Sequence, residues 1–295
     1  MTKISIYVAC HKKTHFIQNE VYVPIQVGRV LSNTVLSDII GDDTGDNISY
    51  LNTMYCEMTA NYWAWKNDTA SDFIGLCHYR RFFSFEKSSI GVRLFRCIKY
   101  LTLKVIAFFQ PGRPSVYWSV IDVKGEKQLD RQCTRFAATI RQKLIDRQEK
   151  IDIYAPNPIR FGAKDVQTHY NMIGGSYQVD ILKEIINRHY PFLFPTLLKI
   201  LKGNKMCYGN MFIMQRETYN EYCSMVFDVM EKHKQSIIDE VEGSNKVNPK
   251  CFDRLSGYIA EIMTATFIEY YRLNKKRTVK YLSVINYYDE SGWVF

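Results

Sequence analysis

The stretch DFIGLCHYRRFF places a histidine and two adjacent arginines directly after an apolar run, Phe73 to Cys77. Such a run predicts a buried strand, so His78, Arg80 and Arg81 would stand at its carboxyl end. A guanidinium fork matches phosphate oxygens, and a pyrophosphate leaving group needs cations as its bond breaks. The stretch therefore predicts a phosphate site. The alternative is a surface pair, or a structural ion pair with a carboxylate.

A second group of chemical interest is the acidic loop GDDTGDNIS, residues 41–49. Asp42, Asp43 and Asp46 fall within five residues, and clustered carboxylates can hold Mg²⁺ or Mn²⁺ through their oxygens. Aspartates also form turns and helix caps by bonding to their own nearby backbone. The spacing alone favours the turn.

The sequence lacks the motifs of several other kinds of active site. The six histidines show no metalloprotease spacing, the glycine-rich MIGGSY lacks the Walker lysine, and no nucleophile elbow occurs. The eight cysteines contain no CxxC pair, which predicts free thiols in a reducing, cytoplasmic protein. The sequence contains no run of 18 apolar residues, so no membrane span is predicted.

The elements that must position these groups alternate along the chain. Strands are predicted at Ile4 to Cys10 and Phe73 to Cys77, with a helix from about Tyr50 to Asn67 between them. Later segments predict helices at about 132–148, 177–190, 216–233 and 254–271, and strands at 210–215 and 279–287. Residues 150–161 predict a strand that runs into a proline-rich loop. This rhythm predicts an α/β domain with a mostly parallel central sheet flanked by helices.

In open α/β sheets, ligands bind outside the carboxyl ends of the strands. Three polar segments are predicted at such ends: Cys10 to Lys12, the acidic loop, and His78 to Arg81. We expect them to form one crevice with cationic and acidic rims.

The segment at about 86–120 has a different character, with bulky apolar residues between Arg93, Arg96, Lys99 and Lys104. It predicts either an amphipathic core helix or an interfacial segment on anionic lipid. The formal net charge of +9 favours an anionic partner. Because no nucleic-acid-binding signature accompanies the basic residues, a nucleic acid is not the expected partner.

The blocks YVACHKK, YVPIQVG, GDDTGDNISYLNTMYCEMTANYWAWKN, IGLCHYRRFF and GNMFIMQRETYNEYC occur in this order. They resemble a family of bacterial capsule and O-antigen biosynthesis proteins, first described as an uncharacterised domain, that includes galactofuranosyltransferases. The resemblance implies one GT-A-like, nucleotide-sugar-binding domain over residues 1–295, with an insert at about 86–120. It also implies an inverting transfer of a hexosyl group from a UDP-sugar.

The resemblance also implies residue roles. The donor would be bound by Ala9, Cys10, His11, Lys12, Asp42, Asp43, Asp46, Asn47, Ser49, Asn52, Lys66 and Tyr79, together with Glu57. Arg80 and Arg81 occupy the place where many such enzymes carry a metal-binding Asp-x-Asp, and they would replace the metal. The alternative is a Mg²⁺ or Mn²⁺ ion on Asp43 and Asp46.

An inverting transfer needs a carboxylate to take the proton of the acceptor hydroxyl. Asp165, Asp180 and Glu261 are the candidates, His78 is a further catalytic candidate, and His169 and Asn210 are expected on the acceptor side. The expected acceptor is a lipid-linked glycan, at an anionic membrane surface on the inner face of the cell membrane. The alternative function is a non-catalytic sugar- or lipid-binding component of a polysaccharide assembly complex.

Overall fold

The computed structural model describes residues 2–87, 120–145, 150–162, 165–174, 176–242 and 254–288, with short pieces between 90 and 117. Most of the predicted insert at 86–120 lies outside the described residues, so its interfacial role stays a prediction. None of the described helices is both long and apolar enough to cross a bilayer.

The amino-terminal part is a parallel sheet. Strands β1 (Ile4–Cys10), β2 (Tyr22–Gln26), β3 (Ile40–Gly41) and β4 (Phe73–His78) lie in the order β3-β2-β1-β4. Helices α1 (Asn52–Tyr55) and α2 (Met58–Asn67) connect β3 to β4. The predicted strands β1 and β4 and the helical segment before β4 are confirmed, but β2 and β3, which also lie between β1 and β4, were not predicted.

The rest of the chain adds strands on the other side of β4 and helices on both faces. The strands are β5 (Arg81–Ser84), β6 (Val116–Tyr117), β7 (Val120–Lys124), β8 (Ile153–Pro156), β9 (Ile159–Phe161), β10 (Lys205–Met206), β11 (Phe212–Gln215) and β12 (Val279–Tyr288). The helices are α3 (Glu126–Ile145), α4 (Val166–Gly174), α5 (Ser176–His189), α6 (Phe194–Lys202), α7 (Arg216–Glu242) and α8 (Leu255–Leu273). Strands β10, β9 and β6 form a small separate sheet.

The prediction of a mostly parallel sheet is wrong for this second half, where the sheet is mixed. Strand β11 lies antiparallel between β4 and β8, and β12 runs antiparallel to β5 but parallel to β7 and β8. Gly75 permits the close approach of β11, because a Cβ atom there would lie 2.8 Å from the carbonyl oxygen of Phe212. Pairing direction depends on contacts between distant segments, which periodicity does not reveal.

Both faces of the sheet are buried, which explains the continuous apolar run of β1. Tyr7 and Ala9 point into one core, packed with residues of α2, α7 and α8. Ile6 and Val8 point into the other core, which α3 covers. Because successive strand residues face opposite sides, a strand covered on both faces must be apolar throughout.

The predicted helix at 50–67 is interrupted. Helix α1 ends at Tyr55, and Cys56 has φ 51° and ψ −132°, a conformation outside the helical region. The Asn52 side chain donates a hydrogen bond of 2.7 Å to the Cys56 carbonyl, which therefore has a partner outside the helix ladder. Helix α2 then starts at Met58, so Cys56 and Glu57 form a kink.

Candidate functional site

A cleft of about 780 Å³ opens at the carboxyl ends of β1 and β4. Ala9 and His78 are paired neighbours on these two strands, so the polar residues that follow each strand reach the same edge of the sheet. The cleft is completed by the kink at Cys56 and Glu57, by α4, by the loop before β11 and by the start of α8. Two of the three segments predicted to form a crevice therefore meet here, through His11 and through His78 to Arg81, whereas the acidic loop does not line the cleft. Segments from the second half of the chain complete it.

The cationic wall stands on a tight turn between β4 and β5. His78 pairs with Arg81, so Tyr79 and Arg80 alone form the turn. The Tyr79 amide donates to the Ala9 carbonyl at 3.2 Å, and the Tyr287 amide donates to the Arg80 carbonyl at 2.9 Å. Because both neighbouring strands hold the turn, the backbone that carries the arginine pair is fixed.

Aromatic rings support the charged side chains of this wall. The Arg80 guanidinium lies 5.0 Å from the centre of the Tyr79 ring, and the Arg81 guanidinium lies 5.6 Å from that of Tyr208. The ring of His11 meets the ring of Tyr79 edge-on at 5.1 Å. Burial, followed by the charges of Lys12 and Arg80, lowers the pKa of His11, so its imidazole is neutral at neutral pH.

His78 is held by main-chain geometry. Its Nε2 lies 2.6 Å from the carbonyl oxygen of Gly209. A carbonyl only accepts, so Nε2 carries a proton and donates it. Burial lowers the pKa of His78, while Glu57, 3.8 Å away, acts in the opposite direction. Gly209 has φ 84°, and a side chain there would crowd the Arg81 guanidinium, with Cβ 3.2 Å from Nη1.

Two carboxylates line the cleft. Glu261 is buried and accepts a hydrogen bond of 2.6 Å from the Tyr170 hydroxyl. Burial and the nearby charge of Glu57 raise the pKa of Glu261 to about 8, against the opposing effects of Tyr170 and Arg81. Glu57 accepts a hydrogen bond of 2.8 Å from Asn210, whose own amide oxygen accepts one of 3.0 Å from Thr264. Each carboxylate is therefore positioned by hydrogen bonds of its own, Glu261 by Tyr170 and Glu57 by Asn210.

Unusual backbone conformations gather around the same cleft. Four described residues other than glycine have a positive φ: Cys56 at 51°, Asn210 at 49°, Arg254 at 61° and Lys275 at 53°. The first and third line the cleft, and Asn210 holds Glu57. Backbone strain of this kind tends to be retained at functional sites.

Comparison with known proteins gives a family and a shared fold. The family model for a domain of unknown function, DUF4422, matches residues 5–274. The chain belongs to the DUF4422 family. It is also similar to the apo structure of the WbbM bifunctional glycosyltransferase, with a TM-score of 0.73 and 24% sequence identity. That match covers 97% of this chain and 45% of the other, so the chain spans less than half of that protein. No curated protein sequence matches this chain.

The DUF4422 match confirms the part of the resemblance that placed the chain in a family first described as an uncharacterised domain. The WbbM likeness shows that the chain shares a fold with part of a glycosyltransferase. In this DUF4422 chain, the structure brings together a large part of the predicted site. The predicted residues that line the cleft are Ala9, His11, Asn52, Glu57, His78, Tyr79, Arg80, Arg81, His169 and Glu261. Lys12 lies beside them, 6.0 Å from the Tyr79 ring.

Other predicted site residues have different surroundings. Cys10 is buried beneath the cleft, with its thiol on the Val8 carbonyl. Asp180 is on the outer face of α5 and pairs with Lys183. Asp165 accepts a hydrogen bond from the Thr168 amide at the start of α4. Lys66 lies 3.8 Å from the Trp65 ring.

The acidic loop forms structural contacts of its own. Asp42 is fully buried and accepts hydrogen bonds from the amides of Gly28 and Arg29 and from the Ser49 hydroxyl. Asn47 bonds the backbone on either side of it. The Asn47 contacts match the turn interpretation, whereas Asp42 bonds the backbone of an earlier segment.

The two proposed metal ligands also have described partners. Asp43 lies 4.0 Å from Arg29, and Asp46 accepts a hydrogen bond from Tyr62. Within the described part of the chain, no three His, Cys, Asp or Glu side chains are grouped to hold a metal ion. Neither aspartate lines the cleft, so the two do not fit a metal centre there. Binding of Mg²⁺ or Mn²⁺ by the chain stays a prediction that these contacts do not test.

Seven residues that line the cleft were not predicted from the sequence, and they include Arg254, Tyr208 and Tyr258. Each of these three lies on a segment predicted as an ordinary helix or loop. The charge and aromaticity of these residues were visible, but only the folded chain brings them to the ends of β1 and β4.

Proposed function

We propose that this chain is a glycosyltransferase that moves a hexosyl group from a UDP-sugar to a lipid-linked glycan in bacterial capsule, O-antigen or exopolysaccharide biosynthesis. One observation carries the proposal: a single cleft combines the Arg80–Arg81 pair with the buried carboxylate of Glu261. The fold shared with a glycosyltransferase supports it. UDP-galactofuranose is the first donor to test, because the resembling family includes galactofuranosyltransferases.

The diphosphate of the donor would bind to Arg80 and Arg81, with His11 and Lys12 beside them. Two guanidinium groups offer donors that match phosphate oxygens, and they neutralise the charge that develops on the leaving group. The tethered turn and the Tyr79 and Tyr208 rings keep the cations in place before the ligand arrives. Such preorganised charge lowers the barrier without further reorganisation.

Glu261 would act as the general base of an inverting transfer. The acceptor hydroxyl gives its proton to the Glu261 carboxylate, and its oxygen forms a bond to the anomeric carbon. The bond from that carbon to the β-phosphate oxygen breaks, and its electron pair leaves with UDP. The products are the glycoside, UDP and one proton, which Glu261 releases to solvent.

This role requires the ionised form of Glu261. Because its pKa is raised to about 8, the ionised fraction grows about tenfold for each pH unit below that value. Turnover should therefore rise from pH 6.5 towards pH 8.5. A pKa near the operating pH is also what efficient proton transfer favours.

The dependence of the transfer on a divalent ion can be tested with EDTA. If Arg80 and Arg81 take the place of a divalent ion, UDP release should continue at an unchanged rate in EDTA. If Asp43 and Asp46 hold Mg²⁺ or Mn²⁺, EDTA should abolish the activity and the added ion should restore it. The net charge of +9 supports an acceptor held at an anionic membrane surface.

The donor claim is tested by thermal unfolding with UDP, UDP-galactofuranose, UDP-galactose and UDP-glucose, followed by UDP release with acceptor present. We expect UDP and one UDP-sugar to raise Tm. The double variant Arg80→Ala with Arg81→Ala should lose this shift, whereas Arg135→Ala on the outer face of α3 should keep it. The absence of any stabilisation by UDP or the UDP-sugars would overturn the proposal. Binding without UDP release would favour the non-catalytic alternative.

A further inference from the structure

Arg254 has a backbone conformation that its residue type disfavours. It directly precedes α8 and has φ 61° and ψ 5°, in the left-handed region. Glycine adopts this region freely and asparagine more readily than arginine does. The Arg254 amide donates to the Thr53 carbonyl at 2.8 Å, and its carbonyl accepts from Tyr258 at 3.2 Å, so the conformation is fixed from both sides.

The side chain of Arg254 points into the cleft that the arginine pair lines. It is exposed, and its guanidinium lies 5.9 Å from the centre of the Tyr258 ring. Its described hydrogen-bond partner is the Cys56 thiol, which is a weak acceptor. Its positive charge contributes to lowering the pKa values of His11 and His78, which belong to β1 and β4. Arg254 is therefore a third cation facing the same space.

We propose that Arg254 binds the diphosphate of the nucleotide from the α8 side, and that its left-handed backbone fixes the guanidinium for that contact. This inference rests on the proposed function and adds one residue to the binding site of the same donor. The bound molecule is a nucleoside diphosphate. A diphosphate carries more oxygen acceptors than the Arg80–Arg81 pair can saturate from one side, and the weakly bonded Arg254 fork offers further donors.

The backbone conformation gives the inference a specific test. In an Arg254→Gly variant, the guanidinium is lost while the left-handed conformation becomes easier to adopt. Folding stability should therefore be equal to or higher than that of the wild type, whereas affinity for UDP should fall. A residue kept only for structure would show the opposite pattern, with lower stability and unchanged binding.

The assay is calorimetric titration of the full chain with UDP, UMP and uridine, together with Tm in the absence of ligand. Arg254→Gly should weaken UDP binding by about tenfold to a hundredfold, since charge-assisted hydrogen bonds have that effect. The loss should be smaller for UMP and absent for uridine. Arg254→Lys should fall in between, because lysine keeps the charge but not the fork. Arg254→Ala should match the affinity of the glycine variant at a lower Tm.

Lys275→Gly is the matched control. Lys275 is also a cation with a positive φ, 53°, but it follows α8 and does not line the cleft. This variant should keep the UDP affinity of the wild type. If Arg254→Gly binds UDP as tightly as the wild type, the inference is wrong while the proposed function stands. If the wild type itself does not bind UDP, both are overturned.

Discussion

The substitution Glu261→Gln tests the electrostatics of the cleft through stability alone. Glutamine keeps the shape of the side chain and an oxygen for the Tyr170 hydroxyl, but it removes the ionisable group. Burial raises the pKa of Glu261 from 4.5 to about 8, so ionising this group in the folded chain costs about 5 kcal/mol more than in the unfolded chain. This cost applies only at pH values at which Glu261 is ionised in the unfolded chain, which are those above about 4.5.

Proton binding by Glu261 makes the folded chain less stable as the pH rises. Between pH 4.5 and 8 the folded chain holds a proton on Glu261 that the unfolded chain releases, so a rise in pH favours unfolding. The contribution of Glu261 is fully favourable below pH 4.5 and declines until the pH passes about 8. From pH 5.5 to 7.5 the wild type should lose roughly 2 to 3 kcal/mol of unfolding free energy that the variant keeps.

The measurement is urea unfolding of both proteins at pH 5.5, 6.5 and 7.5. The difference between the two unfolding free energies isolates Glu261, because the other titrating groups are common to both proteins. A difference that stays constant over this range would refute the reasoning. Tyr170→Phe serves as a second variant: it removes a donor that lowers the pKa of Glu261, so the decline should extend to higher pH.

Three further predictions separate structural residues from residues of the cleft. Asp42→Asn should lower the free energy of unfolding by about 2 kcal/mol, because its carboxylate accepts three buried hydrogen bonds, while UDP affinity stays within twofold; a large loss of affinity would restore Asp42 to the donor site. Gly75→Ala should cost about 2 kcal/mol in urea unfolding, because Cβ would press on the Phe212 carbonyl of β11; a neutral result would contradict the described β4–β11 register. Asp180→Ala should change stability by less than about 0.5 kcal/mol and leave UDP release unchanged, since Asp180 is exposed and pairs with Lys183; a large loss of turnover would return it to the list of general bases.

The sequence predicted the elements that have strong local patterns. Strand β1 and the start of α8 fall within one residue of their predicted bounds, and β4 extends only one residue further. Helix α3 begins six residues before its predicted start at Gln132. The dense charge of this segment suggested a solvated stretch, but Leu129 and Cys133 both pack into the hydrophobic core. The break at Cys56 was invisible, since the apolar spacing of Tyr55 and Met58 continues across it.

The site residues that could be predicted from the sequence are those placed by their immediate neighbours in the chain. His78, Arg80 and Arg81 follow a buried strand directly, so their place at a sheet edge could be read from the chain. Glu261 was one carboxylate among three candidates, and its position depends on how α8 packs against α4 and the sheet. The spacing of the acidic loop favoured a turn, and Asn47 does bond the backbone of that turn. Asp42 instead accepts hydrogen bonds from the amides of Gly28 and Arg29, a contact with an earlier segment that spacing does not reveal.

The strained residues explain how distant segments become one site. The side chains of Cys56 and Arg254 are hydrogen-bonded to each other, and the Asn210 side chain donates to both Glu57 and the Gly257 carbonyl. The kink, the loop before β11 and the start of α8 are therefore linked through residues with a positive φ. Each such conformation costs on the order of 1 kcal/mol or more. A less strained backbone at any of the three would change the direction of a cleft side chain or of the residue beside it. The cost is therefore consistent with selection for the geometry of the cleft, because stability alone would favour glycine at Cys56 and Arg254.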